Sequence, residues 1–211
     1  MGLRDVGILD LGINNTSSLQ RSITKVDPGV KVVNFSSVDD FHGLDLLFLP
    51  GVGNFGAATR ALKARNLDQT LYAYVKTGKP LIAICLGMQL LFSSSEESPD
   101  SQGLSFLEGA VKRLPNTSGH PVPNVGWSEV NFLPRQDFHL ETTRDFYFTH
   151  SFYVKPLNEN CVFCVSRHGK LEYASGVNNE NILGFQFHPE KSGQAGLLLI
   201  KWSLNWAMKL A

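Results

Sequence analysis

Four short runs in the first 85 residues set what this chain can become: VGILDLG (6–12), VKVVNF (30–35), LDLLFLPGVG (44–53) and PLIAIC (80–85). They are dominated by apolar residues rather than alternating with polar ones. A strand with two apolar faces must be covered on both, which a parallel sheet sandwiched by helices provides. The intervening segments read as those helices. TSSLQRSITKV (16–26) places Leu19, Ile23 and Val26 at i, i+4 and i+7. FGAATRALKARNLDQTLYAYVKTGK (55–79) is a long helical pattern with a break near Asn66, and GMQLLFSSS (87–95) is the next helix. The expectation is a doubly wound α/β fold with a mostly parallel sheet, functional groups gathering at the C-terminal ends of its strands.

The second half reads differently. GWSEVNFL, FYFTHSFYV, CVFCVSRH and ILGFQFHPE are strand-like and separated by turn-rich segments, predicting antiparallel or mixed strands beside the parallel core. GQAGLLLIKWSLNWAMKL (193–210) predicts a closing helix, and 93–103 and 115–124 read as loops. With no internal repeat and no linker, residues 1–211 are expected to form one domain.

Charge and composition narrow the function classes. There are 19 basic and 19 acidic residues and no Lys/Arg run, so nucleic acid is not an expected partner. No apolar stretch reaches the roughly 20 residues that span a bilayer. Asp5 and Asp10 interrupt the first apolar segment, which does not read as a secretion signal. Three cysteines without such a signal fit a reducing, cytoplasmic setting.

One of those cysteines stands at a strand end. Ala83-Ile84-Cys85-Leu86-Gly87 has the small-x-nucleophile-x-Gly form of a strand-to-helix elbow. A buried, inert thiol is the common alternative. A free thiol titrates near 8.5, and bringing it close to 7 takes about 2 kcal/mol. A helix N-terminus supplies about 0.3–1 kcal/mol, so a catalytic Cys85 needs an imidazole as well.

Of the six histidines (His42, His120, His139, His150, His168 and His188), His188 fits best. An apolar run (182–187) ends in His188-Pro189-Glu190. Pro189 biases His188 toward extended backbone, and Glu190 can then accept from one ring nitrogen while the other faces a nucleophile. Alone, His-Pro-Glu also fits a surface turn. Cys161 and Cys164 form a C-x-x-C inside a strand-like run, where i and i+3 face opposite sides, and no second pair completes a zinc site. No metal or cofactor is expected.

LPGVGNFG (49–56) follows the third strand. Gly51 and Gly53 on either side of Val52 let backbone N–H groups turn inward, and with the Leu86 amide they can hold a developing oxyanion. It is not a nucleotide-binding Walker loop, because no G-K-[ST] follows.

Taken together, Pro50-Gly51-Val52-Gly53, the Cys85 elbow and His188-Pro189-Glu190 resemble class I glutamine amidotransferases. LPGVGNFG, CLGMQLLFSSSEE, GLSFLEG, PNVGWSEV, FYFTHSFYV and GFQFHPEKSG are similar to the glutaminase subunits of imidazole glycerol phosphate synthases, from about residue 5 to 205. The resemblance implies a flavodoxin-like α/β fold and a Cys85–His188–Glu190 triad that hydrolyses L-glutamine through a glutamyl thioester. It also implies an oxyanion site at Gly51, Val52, Gly53 and Leu86. By family position Gln89, Glu97, His150 and Ser151 contact the α-amino and α-carboxylate groups, with Glu96 a neighbouring alternative to Glu97. The implied partner is a (β/α)₈ barrel synthase subunit of a heterodimer that receives the ammonia for histidine biosynthesis. Similar glutaminases serve sugar amination for surface polysaccharide, which is the alternative. An obligate partner predicts an exposed apolar patch on the Cys85 side of the sheet.

The chain departs from the family pattern at four places. Ala83 stands for a Gly at the elbow. Asn14 stands for a Gly in Gly12-Ile13-Asn14-Asn15. Pro123-Asn124-Val125-Gly126-Trp127 lacks a His, and Phe152 stands where Tyr is common.

Overall fold

The computed structural model describes residues 3–12, 16–41, 43–135, 138 and 143–210. Asn14, Asn15, His42 and His139, singled out above, lie outside the described residues.

The parallel half is built as its pattern requires. Strands β1 (Asp5–Leu9), β2 (Lys31–Phe35), β3 (Leu46–Gly51) and β4 (Leu81–Cys85) lie parallel in the order β2-β1-β3-β4. Their side chains alternate between two cores. Leu47, Leu49, Leu81 and Ala83 pack with α2 (Phe55–Ala64) and α3 (Leu67–Lys76) on one face. Leu46, Phe48, Ile82 and Ile84 pack with α1 (Thr16–Val26) and α5 (Gly193–Met208) on the other. The break near Asn66 is present: Asn66 takes a left-handed conformation (φ 55°) between α2 and α3.

One expectation is corrected. Only Leu86–Leu90 is helical after the elbow (α4), and Phe92–Ser95 is strand β5, paired parallel with β6 (Leu107–Arg113). Three consecutive serines favour caps and turns over helix interior, so the helix ends and the chain is free to pair. The later strands are mostly antiparallel, as expected, and they continue the sheet of the parallel core. β12 (Ile182–Phe185) inserts parallel to β4, and β11 (Leu171–Asn179), β10 (Val162–His168), β7 (Asn124–Phe132) and β8 (Thr143–His150) follow antiparallel. β6 and β9 (Phe152–Pro156) form a flap that joins β11. β6 and β11 had no distinct strand signal, since LEGAVKR and LEYASGVNN carry glycines and charges that blur alternation. Among the described residues, no helix is long and apolar enough to cross a membrane.

Candidate active site

The elbow is formed by backbone. Strict alternation would send Cys85 to the α2/α3 face with Leu81 and Ala83, yet it packs with Ile82 and Ile84 in the opposite core. Its own backbone, at φ 55° and ψ −111°, makes the reversal. A non-glycine residue held at positive φ stores strain that the surrounding structure must impose. Gly87 allows it: a Cβ there would lie 1.8 Å from the Leu49 carbonyl oxygen. Ala83 does not disturb the turn. It is fully buried between Leu49 and Gly184 in an unbroken ladder that runs on to Cys85.

The imidazole arrives on the neighbouring strand. Beyond β12, the His188 amide donates to the Tyr147 carbonyl at 2.9 Å, which fixes the backbone beside β8. His188 Nδ1 lies 2.8 Å from Glu190 Oε1, and both side chains are less than a tenth exposed. Burial opposes charge on His188, but the adjacent Cys85 sulfur and the Glu190 carboxylate outweigh it and hold its pKa at about 10. His188 Nε2 and Glu190 Oε2 are buried with no hydrogen-bond partner among the described residues. Elsewhere burial pushes Cys164 up to about 12 and raises Cys161, so those thiols are held neutral. Cys161 closes a 3₁₀ turn (Glu159–Cys161) ahead of β10 rather than lying inside a strand.

Cys85 opens into a cavity of about 430 Å³ that gathers Val52, Gly53, Leu86, Gln89, Glu97, His150 and Ser151. Gly51 lies beneath it, at the end of β3, where a Cβ would lie 2.9 Å from Leu86 Cβ. The Leu86 amide begins α4 and has no acceptor within that helix. The two adjacent glutamates point to different places. Glu97 Oε2 accepts from the Phe55 amide at the start of α2 (2.6 Å) and borders the cavity. Glu96 faces away, accepting from the Arg113 amide and Lys112, and these contacts lower its pKa, the Arg113 amide first.

His150 reaches the cavity with its ring already engaged. Nδ1 lies 2.8 Å from the Phe152 carbonyl, which can only accept, so Nδ1 carries the proton. Nε2 then accepts from Tyr173 Oη (3.3 Å) and Asn124 Nδ2 (3.4 Å). Burial, foremost, drives its pKa down to about 4, so the ring is neutral at pH 7. The departure at Asn124 thus falls on a residue that supports His150.

Sequence reading missed five residues here. Pro123, Thr149, Phe152 and Lys191 line the cavity, and Gln186 lies behind it, wholly buried, its Nε2 3.7 Å from Cys85 Sγ. Phe152 acts through its carbonyl, which no side-chain pattern reveals. Gln186 was within sight: a carboxamide in the middle of the apolar run before His188 is an unusual choice.

This arrangement has known counterparts. The family model for class I glutamine amidotransferases matches residues 7–201, and the chain belongs to that family. An imidazole glycerol phosphate synthase subunit HisH from Prochlorococcus marinus is 38% identical over 205 residues, covering 96% of this chain and 94% of its own. One from Moorella thermoacetica is 38% identical over 201 residues, covering 94% and 93%. Among solved structures, PurLQS from Thermotoga maritima superposes with a TM-score of 0.71 at 16% identity, covering 98% of both chains, a likeness of fold.

Proposed function

We propose that this chain is the glutaminase subunit of an imidazole glycerol phosphate synthase, and that Cys85, His188 and Glu190 are its triad. One observation carries the assignment of chemistry: a strained cysteine elbow opens into a cavity of about 430 Å³ and has a buried imidazole–carboxylate pair beside its sulfur. The relatives' names support the pathway over sugar amination.

The steps follow from the geometry. The Cys85 thiolate attacks the side-chain carboxamide carbon of glutamine. The imidazolium of His188, kept charged by its neighbours, protonates the departing ammonia. Glu190 holds Nδ1, so the ring presents Nε2 to the reacting atoms. The 51–53 loop and the Leu86 amide receive the oxyanion, a donor of this kind lowering a barrier by about 3–4 kcal/mol. His188 then takes a proton from water as it hydrolyses the thioester. At the amino-acid end, the remaining oxygen of Glu97 takes the α-ammonium, with Gln89 and Ser151 beside it.

A (β/α)₈ barrel subunit would receive the ammonia. Val125 (58% exposed) and Trp127 (59% exposed) form an apolar patch on β7. It adjoins Pro123 at the cavity, as an obligate partner requires. The whole chain then works as one glutaminase domain in the cytoplasm. The test is to purify the chain with its barrel subunit and supply glutamine with either acceptor. Glutamine-dependent formation of imidazole glycerol phosphate is expected. Amination of a sugar nucleotide alone would overturn the pathway assignment.

A further inference from the structure

We propose that Gln186 is a positioning residue for the nucleophile: its carboxamide N–H donates to the Cys85 sulfur and ties it to Gln89 at the glutamine cavity. This rests on Cys85 being the nucleophile of the glutaminase described above.

The orientation of both carboxamides follows from one carbonyl. Gln89 approaches the Phe152 carbonyl at 3.0 Å, and a carbonyl only accepts, so the Gln89 NH₂ points there. That same NH₂ lies 3.1 Å from Gln186, which must therefore present its oxygen to Gln89. The Gln186 NH₂ is left facing Cys85 Sγ at 3.7 Å. The main chain is pinned as well, the Gln186 amide donating to the Ser175 carbonyl at 2.9 Å. Gln186 is 0% exposed, and its chain neighbours Phe185 and Phe187 are buried as well. A carboxamide at such a site is costly unless both ends are satisfied, and here one end is satisfied by the nucleophile.

The contact does different things for the two states of the sulfur. A thiol is a weak acceptor, whereas a thiolate takes a charge-assisted hydrogen bond that shortens and strengthens as the charge forms. Gln186 therefore favours the thiolate and holds it above the elbow, adding to the helix start and to His188. Because Oε1 of Gln186 is held by Gln89, a glutamine molecule that moves Gln89 also moves the donor at the sulfur. The other titratable groups around Cys85 are His188 with Glu190 behind it, and His150, Glu97 and Lys191 at the cavity. None of them is altered by substituting Gln186.

The experiment follows Cys85 carboxamidomethylation by iodoacetamide against pH in the full chain. It compares wild type with Gln186→Met and the equally shaped Gln186→Glu, with Cys85→Ser as blank. Gln186→Met is expected to raise the pH of half-maximal rate by about one, so that alkylation below that point falls about tenfold. Gln186→Glu raises it further, having lost the donor and gained a charge. With the barrel subunit bound, kcat falls in parallel. Superimposable pH profiles for wild type and a variant that melts like wild type would overturn the proposal. If Gln186→Met does not fold, Gln186→Glu decides alone. Failure of the underlying reading looks different: wild type alkylates at Cys85 with the expected profile but releases no glutamate when the barrel is bound.

Discussion

The two sides of the cavity are made by different kinds of backbone. On the parallel side, β3, β4 and the segment after β12 end at one level and deliver the 51–53 loop, Cys85 and His188. Each is placed by local conformation: positive φ at Gly53 and Cys85, close approach at Gly87, and extended backbone at His188. On the antiparallel side, the β8–β9 corner delivers His150, Ser151 and Phe152, and there register places everything. Asn124 meets His150 because β7 and β8 pair at that step, and Tyr173 reaches it from β11. The two histidines of the site, His150 and His188, express the difference. His188 sits against the Cys85 sulfur and the Glu190 carboxylate and stays charged, while His150 sits among neutral donors and acceptors and stays neutral. In the proposed mechanism chemistry is concentrated on one wall, with a neutral scaffold for the substrate on the other.

Substitutions on the parallel wall should have the largest effects. Cys85→Ala is expected to lower glutamate release with the partner bound by at least about 10⁴-fold while the melting temperature is retained. Glu190→Gln should lower kcat by about 10²–10⁴-fold with little change in KM, because the ring loses the carboxylate charge that fixes its tautomer and stabilises its imidazolium. Gly87→Ala tests the elbow. With a Cβ 1.8 Å from the Leu49 carbonyl oxygen, it should destabilise the chain by about 3–5 kcal/mol in urea melts.

The histidines sharpen the comparison through opposite pH dependences. The His188 pKa lies above its unfolded value, so its stabilising contribution is full below about 6.5 and is lost as pH rises through about 10. The His150 pKa lies below its unfolded value, so its contribution is full above about 6.5 and is lost as pH falls toward about 4. The stability gap between wild type and His188→Asn should therefore shrink on going alkaline, and that for His150→Asn on going acid. Urea melts across the range read both. Tyr173→Phe is the mildest test on the antiparallel wall. It removes one hydrogen bond to His150, costing about 1 kcal/mol of stability, and should change KM more than kcat.

What the sequence revealed follows the same division. The elbow, the glycine loop and His-Pro-Glu are contiguous motifs whose function lies in local φ and ψ, and each is legible in a few adjacent residues. Leu81 and Ile82 could likewise be assigned to a buried strand from composition alone. The network through Gln186, Gln89, the Phe152 carbonyl, His150 and Tyr173 joins four chain segments that only the sheet order brings together. β11 was missed for the same reason: it is central through its neighbours β10, β12 and β9, not through its own alternation. Glu97 and Glu96 look alike in sequence and part only when one reaches the start of α2 and the other a lysine.

The central claim is that Cys85, alone among the three thiols, is a nucleophile facing a glutamine cavity. Incubating the chain and its barrel subunit with an electrophilic glutamine analogue, followed by peptide mass spectrometry, tests it directly. The account predicts a single adduct on Cys85, slowed by excess glutamine, with Cys161 and Cys164 unmodified. An adduct on either of those cysteines, or none on Cys85 in a folded complex, would contradict it.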